Sequence, residues 1–385
     1  MSKALKIIVG LIIVAVVVWG GYTLLKGPSE PVSTEPIKIG ATLALSGNLA
    51  YLGEIEKNGL ILAINEINSA GGINGRKLIL IAEDNQGDAK NAVTNIIKLL
   101  DINNVDIVFS AFTHITNAVK NLVAEKKKIM IYASTVKDIA RENELFFRDY
   151  FDAEDNGRAI AKLVNKNGYK TVKFLTEVSD QCALYEKALT EEAQKLNITV
   201  VQKESYLTTE KDLRTPLLKL KGSGFDAIVM CTWRHESILM KQLKELGMIN
   251  IPTFHWVAPF LPAADTSDMR QLFAENKSIT TWYGFGEKTS KEKQAQFIKK
   301  YTDKYGSKPS PDAAYIYDDI YILANALKNC SSVNSIDSQC AAKALMKTDY
   351  SGAGGKLTFD SNRASNREVI AITVIDGVWQ EVPID

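Results

Sequence analysis

The stretch that decides the fold runs from Ile37 to Leu100 and reads IKIGATLALSGNLAYLGEIEKNGLILAINEINSAGGINGRKLILIAEDNQGDAKNAVTNIIKLL. An apolar run at Ile37–Leu45 predicts a strand, and a turn beginning at Ser46 separates it from a long amphipathic helix. A glycine-rich turn then leads into a second strand at Lys77–Glu83, and Asp88 stands where a helix N-cap is expected. The order of these signals predicts a β-α-β-α unit.

Strand and helix patterns continue to alternate through the rest of the chain. Short, continuous apolar strands flanked by helices are typical of parallel sheets that are covered on both faces. The alternation is interrupted at Phe146–Tyr150 and then restarts, which predicts an α/β fold of two doubly wound, Rossmann-like lobes. The further strands are predicted at Val105–Ser110, Ile129–Ala133, Thr171–Glu177, Thr199–Tyr206, Phe225–Cys231, Thr253–Trp256 and Ile279–Tyr283.

Length and composition agree with a folded protein of two domains. The chain has 385 residues, of which 46% are hydrophobic and 24% are charged. Single cores rarely grow beyond about 250–300 residues, so this length favours two compact domains. Lysine and arginine number 46 against 45 aspartate and glutamate residues, and no basic stripe is visible. Nucleic acid is therefore not an expected partner.

The N-terminus carries a separate signal. Lys3 and Lys6 precede an uncharged apolar run at Ile7–Leu25. As a helix this run would span roughly 28 Å, which is close to the hydrocarbon thickness of a bilayer. Segment 1–25 is interpreted as a signal-anchor that holds the chain on the outer face of the cytoplasmic membrane, or alternatively as a cleaved signal peptide of a periplasmic or secreted protein. Segment 26–36 is interpreted as a linker.

Three stretches together resemble a known family. They are INEINSAGGINGRKLILIAEDNQGD at Ile64–Asp88, DAAYIYDDIYILANALKNC at Asp312–Cys330, and GKLTFDSNRASNREVIAITVIDGVWQEV at Gly355–Val382. The chain resembles the substrate-binding proteins of branched-chain amino acid ABC transporters, which have the type I periplasmic-binding-protein fold. The resemblance implies an extracytoplasmic, monomeric protein that closes its two lobes on a small solute and delivers it to ABC permease subunits.

The resemblance also implies a hinge of three crossovers between the lobes. We expect them near Arg148–Asp152, Tyr283–Glu287 and Asp360–Asn366. Lobe 1 would then comprise residues 37–149 and 286–361, and lobe 2 would comprise residues 150–285 and 362–385.

A ligand site is expected at the carboxyl ends of the strands, where ligands bind in open α/β sheets. In the family, hydroxyl and small residues of the first lobe grip the ligand's carboxylate and ammonium groups, and an acid of the second lobe completes the charge match. That acid is absent around Trp256–Ala258, so Glu177 or Glu236 would have to replace it. The candidate ligand-binding residues are Ser46, Tyr51, Phe112, Thr113, His114, Ala133, Ser134, Thr135, Gln181, Trp233 and Trp256.

Aromatic and basic residues on the same loops suggest what the solute is like. Phe112, Trp233 and Trp256 could form apolar walls, while Lys137 and Arg234 could meet a negative charge. An aromatic or larger apolar carboxylate would suit both features, beside an amino acid or a related small carboxylate or amide.

Other kinds of function leave weaker traces in the sequence. His114, His235 and His255 all map to strand-end loops, so a metal site is an alternative, although the histidines are dispersed and more typical of polar loop residues. Cys182 or Cys231 beside His235 could be drawn as a nucleophile, but no nucleophile elbow or phosphate loop is present. The chain is therefore not expected to be an enzyme, and no cofactor is indicated. A ligand-sensing receptor module of the same fold is a second non-enzymatic alternative.

The four cysteines suggest at least one disulfide bond. Cys330 and Cys340 bracket a polar loop, and disulfides persist outside the cytoplasm, so a bond between them is expected. Cys182 and Cys231 fall at the ends of neighbouring strands. They are interpreted either as a second disulfide or as two buried free thiols.

Overall fold

A computed structural model describes residues 35–136, 138–232, 235–256, 265–283, 291–331 and 335–385. The predicted membrane segment 1–25 and most of the linker 26–36 lie outside these residues. Within the described ranges, no helix has the length and apolarity needed to cross a bilayer.

The described elements alternate as the sequence predicts. The strands are β1 (Ile37–Leu43), β2 (Leu78–Asp84), β3 (Ile107–Ala111), β4 (Ile129–Ala133), β5 (Phe146–Arg148), β6 (Thr171–Glu177), β7 (Thr199–Tyr206), β8 (Ala227–Cys231), β9 (Thr253–Trp256), β10 (Ile279–Tyr283), β11 (Asp349–Gly352), β12 (Gly355–Thr358), β13 (Val369–Ile375) and β14 (Val378–Val382). The α-helices are α1 (Ala50–Ser69), α2 (Ala89–Ile97), α3 (Thr113–Glu125), α4 (Asp138–Glu142), α5 (Ala153–Lys166), α6 (Asp180–Lys195), α7 (Arg214–Leu220), α8 (Glu236–Glu245), α9 (Ser267–Asn276), α10 (Lys291–Tyr305), α11 (Pro311–Lys328) and α12 (Ser338–Leu345).

Two sheets organise the two lobes. The first has five parallel strands in the order β2-β1-β3-β4-β5. The second has seven strands in the order β14-β13-β10-β9-β8-β6-β7, with β13 and β14 antiparallel to their neighbours. The helices cover the sheets, and each sheet has its own hydrophobic core. This is the predicted α/β architecture of two lobes with parallel sheets.

The opening β-α-β-α unit is held by local contacts that its sequence explains. Asp88 caps α2 by accepting hydrogen bonds from the amides of Lys90 and Asn91, both at 2.9 Å. Gly72 has a φ of +76°, and a Cβ at this position would lie 2.1 Å from the carbonyl oxygen of Arg76. Only glycine fits such a turn without moving backbone.

Two of the predicted crossover segments lie next to each other and are joined by hydrogen bonds. The Arg148 amide donates to the carbonyl of Arg363 at 2.9 Å, and the Ser365 amide donates to the carbonyl of Arg148 at 2.8 Å. Asp149 of the first segment and Arg367, directly after the second, form a buried ion pair. The third predicted crossover, near Tyr283–Glu287, lies mostly outside the described residues. The lobe boundaries 37–149, 286–361, 150–285 and 362–385 stay a prediction.

Both cysteine pairs are bonded. The predicted disulfide between Cys330 and Cys340 is confirmed, with an S–S distance of 2.02 Å. Cys182 and Cys231, for which the sequence left two interpretations open, form a second disulfide at 2.05 Å.

Candidate functional site

A cavity of about 440 Å³ lies between the two lobes at the carboxyl ends of their strands. Its walls come from both sheets and from the first crossover, so neither lobe forms it alone. The volume is in the usual range for small-molecule sites. The lining residues are Leu49, Glu56, Phe112, Thr113, His114, Ala133, Ser134, Thr135, Tyr150, Phe151, Glu177, Ser179, Gln181 and Thr208.

The first lobe contributes hydroxyl groups held by a tight turn. Phe112 has a φ of 65°, and its amide donates to the carbonyl of Ala133 at 2.8 Å, which binds the ends of β3 and β4 together. The hydroxyls of Thr113 and Ser134 lie 2.6 Å apart. Because Thr113 begins α3, this wall combines side-chain hydroxyls with the free amides of a helix N-terminus, a surface suited to a carboxylate.

Aromatic rings form the apolar part of the cavity. Tyr150 and Phe151 stack with their centroids 3.9 Å apart at the start of the crossover. Phe151 in turn meets Trp256 edge-on at 6.0 Å. Trp256 is only 2% exposed and also stacks on Tyr185, so it belongs to the core behind the cavity. The sequence predicted that Trp256 contacts the ligand. In the structure its side chain instead packs within the core of the second lobe.

The second lobe contributes an acid and an amide. Glu177 ends β6 and is 2% exposed, and its Oε2 lies 3.7 Å from Nδ1 of His235. Ser179 caps α6 by accepting from the Cys182 amide at 3.4 Å, which places Gln181 on the cavity wall. Of the two acids proposed to replace the family's missing one, Glu177 lines the cavity. Glu236 is buried beside Thr232, whose hydroxyl donates to it at 3.4 Å.

Two buried acids meet at the base of the first lobe. Glu56 of α1 lines the cavity and is 5% exposed, and Asp312 of α11 is 3% exposed. Burial raises the pKa of Asp312 to about 6, although hydrogen bonds from Tyr150 and Ser310 oppose the rise. Burial and the nearby charge of Asp312 raise the pKa of Glu56 well above its ordinary value.

Several other candidate residues lie away from this cavity. Ser46 lines an adjacent cleft of about 620 Å³, where its amide donates to Asp84 at 3.2 Å and holds the turn after β1. Tyr51 is 46% exposed on α1 and is not part of the cavity lining. Trp233, together with Lys137 and Arg234, lies outside the described residues.

The three histidines do not converge on a metal site. His114 lines the cavity, and its Nε2 lies 3.1 Å from the carbonyl oxygen of Gly87. His235 contacts Glu177, whereas His255 lies within β9, fully buried against Phe273. The prediction that His255 lies on a loop facing the cleft is therefore wrong. Among the described residues, no group of three or more histidine, cysteine or acidic side chains is arranged to hold a metal ion.

Six lining residues were not among the individually named candidates: Leu49, Glu56, Tyr150, Phe151, Ser179 and Thr208. Tyr150 and Phe151 could have been found, because they lie at the break in the strand–helix alternation where a crossover was expected. Glu56 gave no such signal. It lies inside α1, outside the strand-end loops where ligands bind in open α/β sheets.

A two-lobed protein with a small-molecule cavity between its lobes is the class that this geometry defines. The family model for periplasmic binding proteins matches residues 36–377, and the chain belongs to that family. The family consists of non-enzymatic solute-binding proteins, in agreement with the expectation that the chain is not an enzyme.

Individual relatives are of the branched-chain amino acid type. The chain is 24% identical to Leu/Ile/Val-binding protein homolog 7 of Brucella abortus over 378 residues, which covers 89% of this chain and 90% of the relative. The branched-chain amino acid transporter substrate binding protein LivJ of Streptococcus pneumoniae, solved in complex with isoleucine, is 26% identical with a TM-score of 0.76, covering 90% of this chain and 99% of that one.

A third similarity extends to a different ligand. A solute binding protein of an ABC transporter from Rhodopseudomonas palustris, solved in complex with 3,4-dihydroxybenzoic acid, has a TM-score of 0.76 at 18% identity. The alignment covers 90% of this chain and 96% of that one. At this identity the similarity shows the fold alone.

Proposed function

We propose that this chain is the extracytoplasmic solute-binding protein of an ABC importer. It closes its two lobes on a small solute, an amino acid or a related small carboxylate or amide, and presents it to permease subunits. The observation that carries the proposal is the cavity of about 440 Å³, whose hydroxyls, amide and aromatic rings come from both lobes. The relatives of the branched-chain amino acid type support the amino-acid part of the proposal.

The mechanism follows from the shared cavity. Thr113, Ser134 and Thr135 stand on one side, and Ser179 and Gln181 stand on the other. A solute that touches both sides makes its full set of contacts only when the lobes are close together. Binding therefore shifts the population toward the closed state by the difference between its affinities for the two states.

The experiment is a thermal-shift screen of amino acids, amides and aromatic acids, followed by titration of the best solute into matched variants. Thr135→Val should weaken binding by about 1 kcal/mol because it removes one hydrogen bond to the solute. Phe112→Ala should cost about 2 kcal/mol by removing an aromatic wall. Tyr51→Ala is the control and should bind as the parent does, since Tyr51 lies outside the cavity. Equal affinity in all variants would place the solute elsewhere.

A further inference from the structure

We propose that Glu56 supplies the buried counter-charge for an ammonium group on the bound solute. The inference rests on the proposed function and narrows the solute class to small molecules that carry a cationic amine. It assigns the ammonium to a carboxylate in the first helix of the first lobe, in addition to any acid of the second lobe.

The position of the Glu56 carboxyl group is the first argument. The side chain is 5% exposed and lines the cavity. Its Oε2 has no hydrogen-bond partner within the described part of the chain, and neither has the buried Oδ1 of Asp312 behind it. Leaving a buried carboxyl oxygen unsatisfied costs free energy, whereas a donor on a ligand in the cavity would satisfy it. The carboxyl group therefore retains hydrogen-bonding capacity at the wall of the cavity that the solute would fill.

The charge balance of the cavity is the second argument. Two carboxyl groups, Glu56 and Glu177, line it from opposite lobes, and His114 is the titratable base on its wall. Within the described residues, neither lysine nor arginine takes part in the lining. A cationic group on the solute would be attracted by these two carboxyl groups, and closure of the lobes would strengthen this attraction by removing water.

Binding of a cation should also move a proton. Burial, and then the nearby charge of Asp312, raise the pKa of Glu56 well above its ordinary value. The titratable groups around it are Asp312 from α11, Tyr150 from the crossover, and His114 and Glu177 across the cavity. An ammonium ion at hydrogen-bond distance favours the charged carboxylate and lowers this pKa. The carboxyl group then releases a proton as the solute binds.

The experiment compares solutes that differ only in the ammonium group. The full-length chain is screened by thermal shift against the standard amino acids and the deaminated acid of each, such as phenylalanine with 3-phenylpropanoate and leucine with 4-methylpentanoate. The pair with the largest shift is then titrated calorimetrically into the parent, Glu56→Gln and Glu54→Gln. Glu54 is an exposed acid on the same helix, paired with Lys57 at 3.1 Å, and serves as the matched control.

The parent and the Glu54→Gln variant should prefer the amine-bearing member, and Glu56→Gln should reduce that preference by about tenfold or more, as expected for loss of a charged hydrogen bond. Glutamine can donate and accept but cannot ionise, so an unchanged preference overturns the proposal. Titrations of the parent at about pH 6 in buffers of different ionisation enthalpy should show proton release. No proton release, even with a lost preference, would mean a neutral hydrogen bond and would also overturn it.

The same measurements separate this inference from the proposed function. If the parent binds both members of the pair equally, solute binding stands and the assignment of Glu56 fails. If no member of any pair raises the melting temperature, the amino-acid function is contradicted and the inference fails with it. The measurement of proton release needs no variant, so an absence of release would overturn the inference even if Glu56→Gln does not fold.

Discussion

Burial shifts the pKa of individual side chains in this protein, and His255 is an example. His255 is fully buried in β9, where its Nε2 lies 2.6 Å from Thr253 Oγ1 and its Nδ1 has no partner within the described residues. Burial lowers its pKa from 6.5 to about 3. Charging this ring would bury a cation whose recorded hydrogen-bond partner is the neutral hydroxyl of Thr253. The neutral ring is therefore part of the second lobe's packing.

His255 should make the second lobe sensitive to acid. Between its unfolded pKa of 6.5 and its folded pKa of about 3, the unfolded chain binds a proton that the folded chain excludes, so stability falls as pH drops below 6.5. The slope for one such group is about 1.4 kcal/mol per pH unit. The parent should lose stability relative to His255→Gln by this amount per unit in denaturant titrations at falling pH.

Comparing the pH dependence of stability in the parent and in His255→Gln cancels the contributions of other titrating groups. Burial raises the pKa values of Asp312 and Asp318 to about 6, so these acids act in the opposite direction between about pH 4 and pH 6, but equally in both proteins. Parallel pH profiles for the two proteins would contradict the assignment to His255.

In the second lobe, a glycine allows two helices to pack closely, and a disulfide bond links one of them to a strand. Helices α5 and α6 pack so tightly that a Cβ on Gly157 would lie 2.3 Å from the carbonyl oxygen of Tyr185. One end of the same region is tied by the disulfide between Cys182, at the start of α6, and Cys231, at the end of β8. This bond spans 49 residues of sequence, whereas the bond between Cys330 and Cys340 spans 10.

The longer loop should contribute more stability. On the chain-entropy model, closing loops of these lengths stabilises the protein by about 4 kcal/mol for Cys182–Cys231 and about 3 kcal/mol for Cys330–Cys340. The paired alanine variants should therefore unfold at different urea concentrations, with the Cys182/Cys231 variant less stable. Solvent-accessible thiols in the untreated parent would show that the bonds are not formed. Equal losses from the two variants would contradict the chain-entropy explanation.

At the scale of the two lobes, the described crossover segments carry a buried charge network. Arg367 pairs with Asp149, lies 3.5 Å from Asp318 through Nη1, and stacks over Tyr315 at 4.3 Å. These residues come from the two crossover regions and from α11, so tertiary contacts hold the crossover segments together. Breaking a buried pair of this kind would leave an uncompensated charge and would destabilise this junction.

The N-terminal segment should be dispensable for folding and binding. Arg76 Nε donates to the Glu35 carbonyl at 2.9 Å, so the described contacts of the first lobe extend back to residue 35. Removal of residues 1–34 should leave the melting temperature and solute affinity unchanged. Removal of residues 1–41 is the control and should unfold the first lobe, because it deletes most of β1.

The full-length chain should fractionate with membranes if segment 1–25 is an uncleaved anchor. A mature protein that begins near Gly20 and is recovered without membranes would show a signal peptide instead. Loss of folding or binding in the chain that lacks residues 1–34 would contradict the interpretation that the lobes fold without this N-terminal segment.

The sequence by itself determined the alternation of strands and helices, the parallel strands that make up most of the two sheets, and the loops at their carboxyl ends. These follow from local apolar runs, turns and caps, which act over a few residues: β1 and β2 were predicted within two residues of their ends. The short strand β5 was missed, because Phe146–Arg148 is apolar for only two residues before a charged one. The strand-end loops were predicted to supply Phe112, Thr113 and Thr135, and all three line the cavity. Their contact with a solute is a proposal.

Only the tertiary structure decided which side chains face the cavity. Trp256 ends a strand that points toward the cleft, yet its ring packs backward onto Tyr185 and Phe151. Glu56 lies in the middle of a helical pattern, and only the folded arrangement, in which α1 packs against α11, shows that it lines the cavity. The pairing of Cys182 with Cys231 likewise required β6 and β8 to be neighbours. Sequence periodicity specifies the face and the end of an element, whereas burial, charge pairing and covalent links depend on residues that are distant in sequence.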